Sequence, residues 1–148
     1  MIHPAFQIVD EIHIQAARGG VWRVFTRLEE WPLWNSEIIE ANWVEGEPWT
    51  ENAVFELRHK SLFGAVTATR AVLRMVVPET SAVWESRGAG IHIVNSAHFQ
   101  DDLGGCKLTA KHAYSGIGAA GLMLIKGRQQ AKLAAAMEEL RRYVERGN

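Results

Sequence analysis

The period of the hydrophobic pattern changes three times along this chain. Near the start, Ile8, Asp10, Ile12 and Ile14 alternate with Val9, Glu11, His13 and Gln15, the two-residue repeat of a strand. Arg18 to Leu28 then sets Val21, Trp22, Phe25 and Leu28 on one side of a short helix. Glu29-Glu30-Trp31-Pro32-Leu33-Trp34-Asn35 continues it, broken or restarted at Pro32. From Ile38 the period returns to two. Six further strands are predicted: Ile38–Val44, Ala53–Lys60, Val66–Val77, Ser81–Arg87, Ile91–Asp101 and Lys107–Ser115.

From Ser115 to Arg146 there is no proline, and Leu122, Ile125, Gln129, Leu133, Met137, Leu140 and Val144 recur at steps of three and four. The spacing predicts one unbroken helix of roughly 40 Å, long enough to cross a whole domain. Gly127 is its weakest point, expected to be kept for close approach of a neighbour rather than as a hinge. Packing supplies most of a helix's stability, and the only partner surface encoded is the sheet before it. The fold class expected is therefore α+β: a seven-stranded antiparallel sheet wrapped around a long C-terminal helix, with two short helices after the first strand. Such an arrangement tends to leave a space between sheet and helix, where function would sit.

The turns set a register. Leu62-Phe63-Gly64 suits a three-residue hairpin loop with glycine in the left-handed position, which sets His59 opposite Thr67, Leu57 opposite Thr69 and Phe55 opposite Ala71. A turn from Pro78 to Ser81 sets Met75 opposite Trp84 and Leu73 opposite Ser86. Ala89-Gly90 sets Trp84 opposite Asn95, and Leu103-Gly104 sets Asn95 opposite His112 and Ile93 opposite Tyr114. The inner face then has a row Met75, Trp84, Asn95, His112, flanked by Leu73, Ser86, Ile93, Tyr114 and by Val77, Ala82, Ala97, Ala110. A slip of one residue would move every one of these to the other face. That outer face carries Arg70, Arg74, Glu85, Arg87, His98, Lys107 and Lys111 and reads as solvated.

Composition narrows the partners. The chain has 148 residues and a formal net charge of −1, with the charges spread along it, so one domain over 1–148 is expected, without the basic footprint of a nucleic-acid binder. Cys106 is the single cysteine, which excludes an intramolecular disulfide and reads as structural. The first residues show no secretory pattern, and the apolar run from Gly116 to Ile125 is too short to span a bilayer. A cytoplasmic protein with no membrane span is the expectation. Six tryptophans are many for this length; those that are not core could line a pocket.

The residues Val21-Trp22 and Phe25, then Trp31-Pro32-Leu33-Trp34-Asn35, Trp84 ahead of Gly88, and Gly104-Gly105-Cys106-Lys107-Leu108-Thr109 leading to Tyr114-Ser115-Gly116 carry a family likeness. With these the chain resembles the START-like (SRPBCC, helix-grip) superfamily, nearest to its polyketide cyclase/dehydrase and lipid-transport group. The resemblance covers nearly the whole chain. It implies the helix-grip fold and a cavity for an apolar or aromatic ligand, and it brings no universal catalytic residue.

Candidate site residues follow from the register. Asn95 and His112 are polar on a mostly apolar face; they could satisfy each other, or bind a ligand oxygen together with Tyr114 against Trp84 as an aromatic wall. Histidine and tyrosine there could also serve as acid and base. His59 shares the inward parity near a loop, Gln129 interrupts the helical stripe with an amide, and Phe55 and Met75 complete the expected lining. Leu62-Phe63 at a hairpin tip reads as an exposed apolar pair: a lid over the cavity mouth, a contact surface, or an isolated surface pair with no role. His92 and His98, about 20 Å apart along one strand, cannot share a metal, and neither a metal nor a cofactor is expected. Three readings remain: a carrier or binder of a small hydrophobic molecule, a cyclase/dehydrase-type enzyme using the same cavity, and a protein-interaction module whose cavity is filled by side chains. The oligomeric state is not legible.

Overall fold

The computed structural model describes residues 5–60 and 64–147. Seven strands are present: β1 (Phe6–Ile14), β2 (Ile38–Glu45), β3 (Val54–Lys60), β4 (Val66–Val77), β5 (Ser81–Gly88), β6 (Ile91–Asp102) and β7 (Gly105–Ser115). They form one antiparallel sheet in the order β1-β7-β6-β5-β4-β3-β2. Helix α1 (Arg18–Phe25) and the single-turn helix α2 (Trp31–Trp34) follow β1, joined by a 3-10 turn over Leu28–Glu30. The chain ends in α3 (Ala119–Leu122), a 3-10 turn (Met123–Ile125) and α4 (Lys126–Glu145). This is the expected helix-grip architecture.

Local chemistry explains the first helical segment. Val21, Trp22, Val24 and Phe25 are buried on one face of α1. The helix stops three residues before the expected Leu28. There the Thr26 hydroxyl donates back to the Trp22 carbonyl at 2.9 Å, which draws the chain out of the helix. The carbonyls left over at such a helix end need donors. Two indoles supply them: Trp31 Nε1 donates to the Phe25 carbonyl at 2.7 Å and Trp49 Nε1 to the Thr26 carbonyl at 2.6 Å. Pro32 sits in the first turn of α2, where its missing N–H costs nothing.

Three of the four predicted hairpin registers hold. Thr67, Thr69 and Ala71 lie opposite His59, Leu57 and Phe55; Asn95 lies opposite Trp84; His112 and Tyr114 lie opposite Asn95 and Ile93. Ala89 and Gly90 both have positive φ, as do Leu103 and Gly104. Two-residue turns of that hand match the twist of the strands they join and leave no freedom of register.

The β4–β5 register differs from expectation. Leu73, not Met75, lies opposite Trp84, Ala71 lies opposite Ser86, and Val76 rather than Val77 lies opposite Ala82. The loop is three residues long, Pro78 to Thr80, with Glu79 in the left-handed region at φ 62°. The loop is one residue shorter than expected, which turns Met75 outward, and it is 44% exposed. A bulge between Leu73 and Met75 then restores Ala71 and Leu73 to the inner face, where both are buried. Arg74, in the bulge, reaches Glu85 on the outer face at 2.7 Å.

The C-terminal helix also differs from the unbroken rod expected from Ser115. It starts at Ala119 and breaks at Met123–Ile125, leaving α4 about 30 Å long. Gly116, at φ 97°, makes the break from β7: a Cβ there would lie 2.4 Å from the Gly90 carbonyl. Gly118 N–H donates to that same carbonyl at 2.9 Å. The chain is thus tied to the β5–β6 turn before the helix can begin. Gly127 has open space where its Cβ would be, so it permits no close approach. It is an exposed glycine in the first turn of α4. The apolar stripe is otherwise as predicted, with Leu133, Met137, Leu140 and Val144 buried.

Polar ties hold α4 on both sides of the sheet's concave face. Gln130 donates to the Val9 carbonyl of β1 at 2.8 Å, and the Gln15 N–H donates to Glu145 at 2.8 Å. On the other side Tyr143 donates to Glu30 at 2.9 Å, and Lys132 approaches Glu37 at 3.5 Å. The outer face of the sheet is laced with ion pairs, Arg70–Glu56 at 3.2 Å and His92–Glu85 at 3.2 Å among them. Leu62-Phe63 lies outside the described residues.

Candidate functional site

A cavity of about 350 Å³ separates the concave face of the sheet from α4. Its walls come from every layer: Trp84, Asn95 and His112 from the central strands, Phe25, Trp31 and Trp34 from the first helical segment, and Leu133, Met137 and Leu140 from α4. The cavity exists because small side chains floor it. Ala71, Ala97 and Ala110 point inward from β4, β6 and β7, where larger residues would have met the helix.

Trp84, Asn95 and His112 stand side by side on β5, β6 and β7, and all three face the cavity. Among the described residues neither Asn95 nor His112 makes a side-chain hydrogen bond, so the two do not satisfy each other. His112 lies deep in the protein yet keeps surface facing the hollow. Burial away from water lowers its pKa from 6.5 to about 4, and no charge or hydrogen bond offsets that effect. At neutral pH it is an uncharged imidazole with one donor and one acceptor to offer.

Tyr114 is in the neighbouring row, 7% exposed, its ring stacked on Phe6 at 4.6 Å, with burial raising its hydroxyl pKa. It too borders the cavity. His59 lies on the boundary at another end, where its Nε2 is 2.7 Å from the Thr69 hydroxyl. Gln129 reaches the lining from the first turns of α4.

Two expected lining residues are elsewhere. Phe55 is fully buried behind the cavity wall, its ring 5.6 Å from Trp31, 5.5 Å from Trp43 and 6.4 Å from Trp84. Inward parity put it on the right face, but the helical segment covers that part of the face completely. Met75 is on the outer surface because of the three-residue turn described above.

Sequence reasoning did not find Trp34, Lys60 or Lys132. Trp34 follows Trp31 by three residues, which on one helical turn brings both indoles to the same side. Its Nε1 is a buried donor with no partner among the described residues. Lys132 is one turn beyond Gln129 on the same helix, a signal the apolar stripe concealed. Cys106 is buried, with burial raising its thiol pKa, as suits a packing residue. Among the described residues no three His, Cys, Asp or Glu side chains gather as metal ligands would, and no helix is long and apolar enough to cross a membrane.

The family model described as polyketide cyclase / dehydrase and lipid transport matches residues 5–145. The chain belongs to this family. No curated protein matches it by sequence. Solved structures of the same fold include TTHA0849 from Thermus thermophilus, 15% identical with a TM-score of 0.79, over 97% of this chain and 99% of that one. The di-domain ARO/CYC StfQ of the steffimycin biosynthetic pathway is 14% identical with a TM-score of 0.77, over 95% of this chain and 50% of that one. This chain therefore spans half the length of that di-domain protein. Ara h 8.0201 is 12% identical with a TM-score of 0.72, over 96% of this chain and 99% of that one. At such identities the likeness is one of fold, and the START-like architecture is common to all of them.

Proposed function

We propose that this protein binds a small, mostly apolar molecule, aromatic or acyl, in the cavity between the sheet and α4. The observation that carries the reading is the cavity itself: about 350 Å³ of space, within the range of small-molecule sites, in the middle of an otherwise packed fold. Trp84 forms a flat wall, while Asn95, His112 and Tyr114 offer hydrogen bonds to a ligand oxygen. His59 and Gln129 border the same space and contribute where the ligand is longer. A hollow of this size also weighs against an interaction module, which would have a core filled by side chains. The reading takes the protein to be cytoplasmic, where Cys106 stays a buried thiol.

A cyclase/dehydrase-type reaction in the same cavity is the second reading, and the family description is what favours it. A general base works best with a pKa near the working pH. His112, held at about 4, is a weak base and is unprotonated as an acid at neutral pH. Its neutral ring is better suited to holding a ligand carbonyl or hydroxyl than to moving its proton. Binding is therefore preferred over catalysis.

Native mass spectrometry of freshly purified protein tests the proposal, with a copurified small molecule of mass fitting the cavity as the expected result. Titration with flat and acyl ligands should change tryptophan emission, and Trp84→Phe should remove most of that change. A broad panel giving no Trp84-dependent signal would overturn the proposal. Turnover lost in His112→Phe with binding retained would instead establish the enzyme.

A further inference from the structure

Strands β3, β5 and β7 all end on one side of the sheet, the side where His59 and Gln129 border the cavity. There the chain leaves β7 and presents apolar side chains to solvent. Ile117 is 94% exposed, Leu124 91% and Met123 46%, while Ala119 between them is buried. Single exposed hydrophobes are ordinary, but three within eight positions form a patch. The patch is held in place by the backbone. Gly116 turns the chain, Gly118 N–H donates to the Gly90 carbonyl, and Ile117 Cγ1 would lie 3.1 Å from a Cβ added at Gly90. This tie to the β5–β6 turn fixes where the apolar side chains are displayed.

The free charge around the patch has one sign. Lys126 and Arg128 follow Leu124 by two and four residues, both are exposed, and neither has an ion-pair partner among the described residues. Arg87 is likewise exposed and unpaired, and it lines a shallow hollow on the outer face with Gly90 and Gly116, against which Ile117 is set. Positions 86–100 and 103–137 contain no Asp or Glu. The acids that approach from other elements are engaged: Glu85 by Arg74 and His92, Glu37 by Lys132, and Glu139 by Ser36. Asp10, one residue past the contact of Val9 with Gln130, is half-buried, and burial raises its carboxyl pKa.

We propose that this surface docks on an anionic lipid bilayer, with Ile117 and Leu124 entering the boundary between headgroups and acyl chains and with Lys126, Arg128 and Arg87 facing lipid phosphates. Apolar side chains that protrude and are flanked by cations suit a deformable, negatively charged surface. A protein partner would instead need a preformed groove lined with acids. The run from Gly116 to Ile125 is too short to span the bilayer, so the contact lies on it. Docked in this way, the protein has the His59 and Gln129 end of its cavity at the lipid surface, where apolar molecules concentrate. The inference goes beyond the cavity reading and does not depend on it.

Co-sedimentation with extruded vesicles tests it, using phosphatidylcholine alone and phosphatidylcholine with about 30 mol% phosphatidylglycerol. The wild type should bind the anionic vesicles at least tenfold more tightly than the neutral ones. Ile117→Ser/Leu124→Ser should weaken that binding about tenfold although every cation is retained. Lys126→Gln/Arg128→Gln should weaken it by about the same factor and flatten its dependence on NaCl. All four side chains are exposed, so the urea midpoints of both variants should match the wild type. Absence of wild-type binding to anionic vesicles would overturn the inference. So would binding that ignores Ile117 and Leu124, which is charge adhesion alone, or self-association of the wild type that the double serine variant abolishes. None of these outcomes bears on the cavity, whose occupancy is read from a copurified molecule and from Trp84 emission.

Discussion

Under α1 and α2 the concave face of the sheet is packed solid; under α4 it is hollow. In the packed region Trp22, Phe25, Trp31, Trp49, Phe55 and Phe99 meet one another with ring centroids 5–7 Å apart, a spacing at which tilted and edge-on rings attract. The indoles of Trp31 and Trp49 each find a backbone carbonyl. In the hollow region small residues floor the sheet, and Asn95 and His112 point into space without a partner among the described residues. Both regions share one sheet and one pattern of alternation. The difference is that helix side chains reach down far enough in one region and not in the other. Interior polar groups without partners cost stability. Such groups gathered around a hollow mark the part of the molecule whose packing a ligand would complete.

The comparison breaks most sharply at Trp31. Truncation to Ala removes an indole that is 3% exposed and leaves the Phe25 carbonyl without its donor. A loss of about 3–5 kcal/mol in urea unfolding is expected. A smaller loss would mean that the packed region is itself loosely filled.

Next in size is the pH dependence of the hollow region. His112 has a folded pKa of about 4, below its unfolded value of 6.5. Between those values the unfolded chain binds the extra proton. The stability linked to a neutral His112 is therefore complete above pH 6.5 and lost as pH falls toward 4. At about 1.4 kcal/mol per unit the loss approaches 3 kcal/mol. Unfolding curves at several pH values should show this slope in the wild type and a flatter one in His112→Phe.

Gly116→Ala should cost roughly 1–3 kcal/mol, because it forces a side chain into the left-handed region and against the Gly90 carbonyl. Gly127→Ala, with open space around it, should cost nothing and is expected to stabilise by up to about 1 kcal/mol. The contrast locates the constraint on the C-terminal helix at its tie to the sheet.

The smallest effect sharpens the comparison best. His112→Phe or Tyr114→Phe should weaken an oxygen-bearing ligand by about 0.5–1.5 kcal/mol per lost hydrogen bond and should barely change a hydrocarbon analogue. Equal weakening of both would make these residues packing groups, like those of the filled region.

Much of the architecture was legible in the sequence because its causes are local. Two-residue turns such as Ala89-Gly90 and Leu103-Gly104 admit a single register. The row Trp84, Asn95, His112 therefore followed from counting outward from them. The face of α4 that carries Leu133, Met137 and Leu140 followed from periodicity for the same reason. The errors arose where a local signal admitted two outcomes. Pro78 to Ser81 can close a hairpin with a loop of three or four residues, and the choice depends on the bulge at Arg74 and its ion pair with Glu85. The glycine-rich segment after Ser115 can be helix or turn, and the tie to Gly90 decided it.

By itself, then, the sequence determined which residues share a face, because alternation and turn length act over a few neighbouring positions. Whether a residue on that face meets another side chain or open space is set by how far α1, α2 and α4 stand from the sheet. Phe55 and His112 both point inward, yet one is sealed behind Trp31 and the other borders a cavity. The meeting of Lys132 with Glu37 belongs to the same class, since two distant segments are brought together only when the helix lies in the grip of the sheet. Packing distance is a property of the assembled layers, and no stretch of the chain carries it alone.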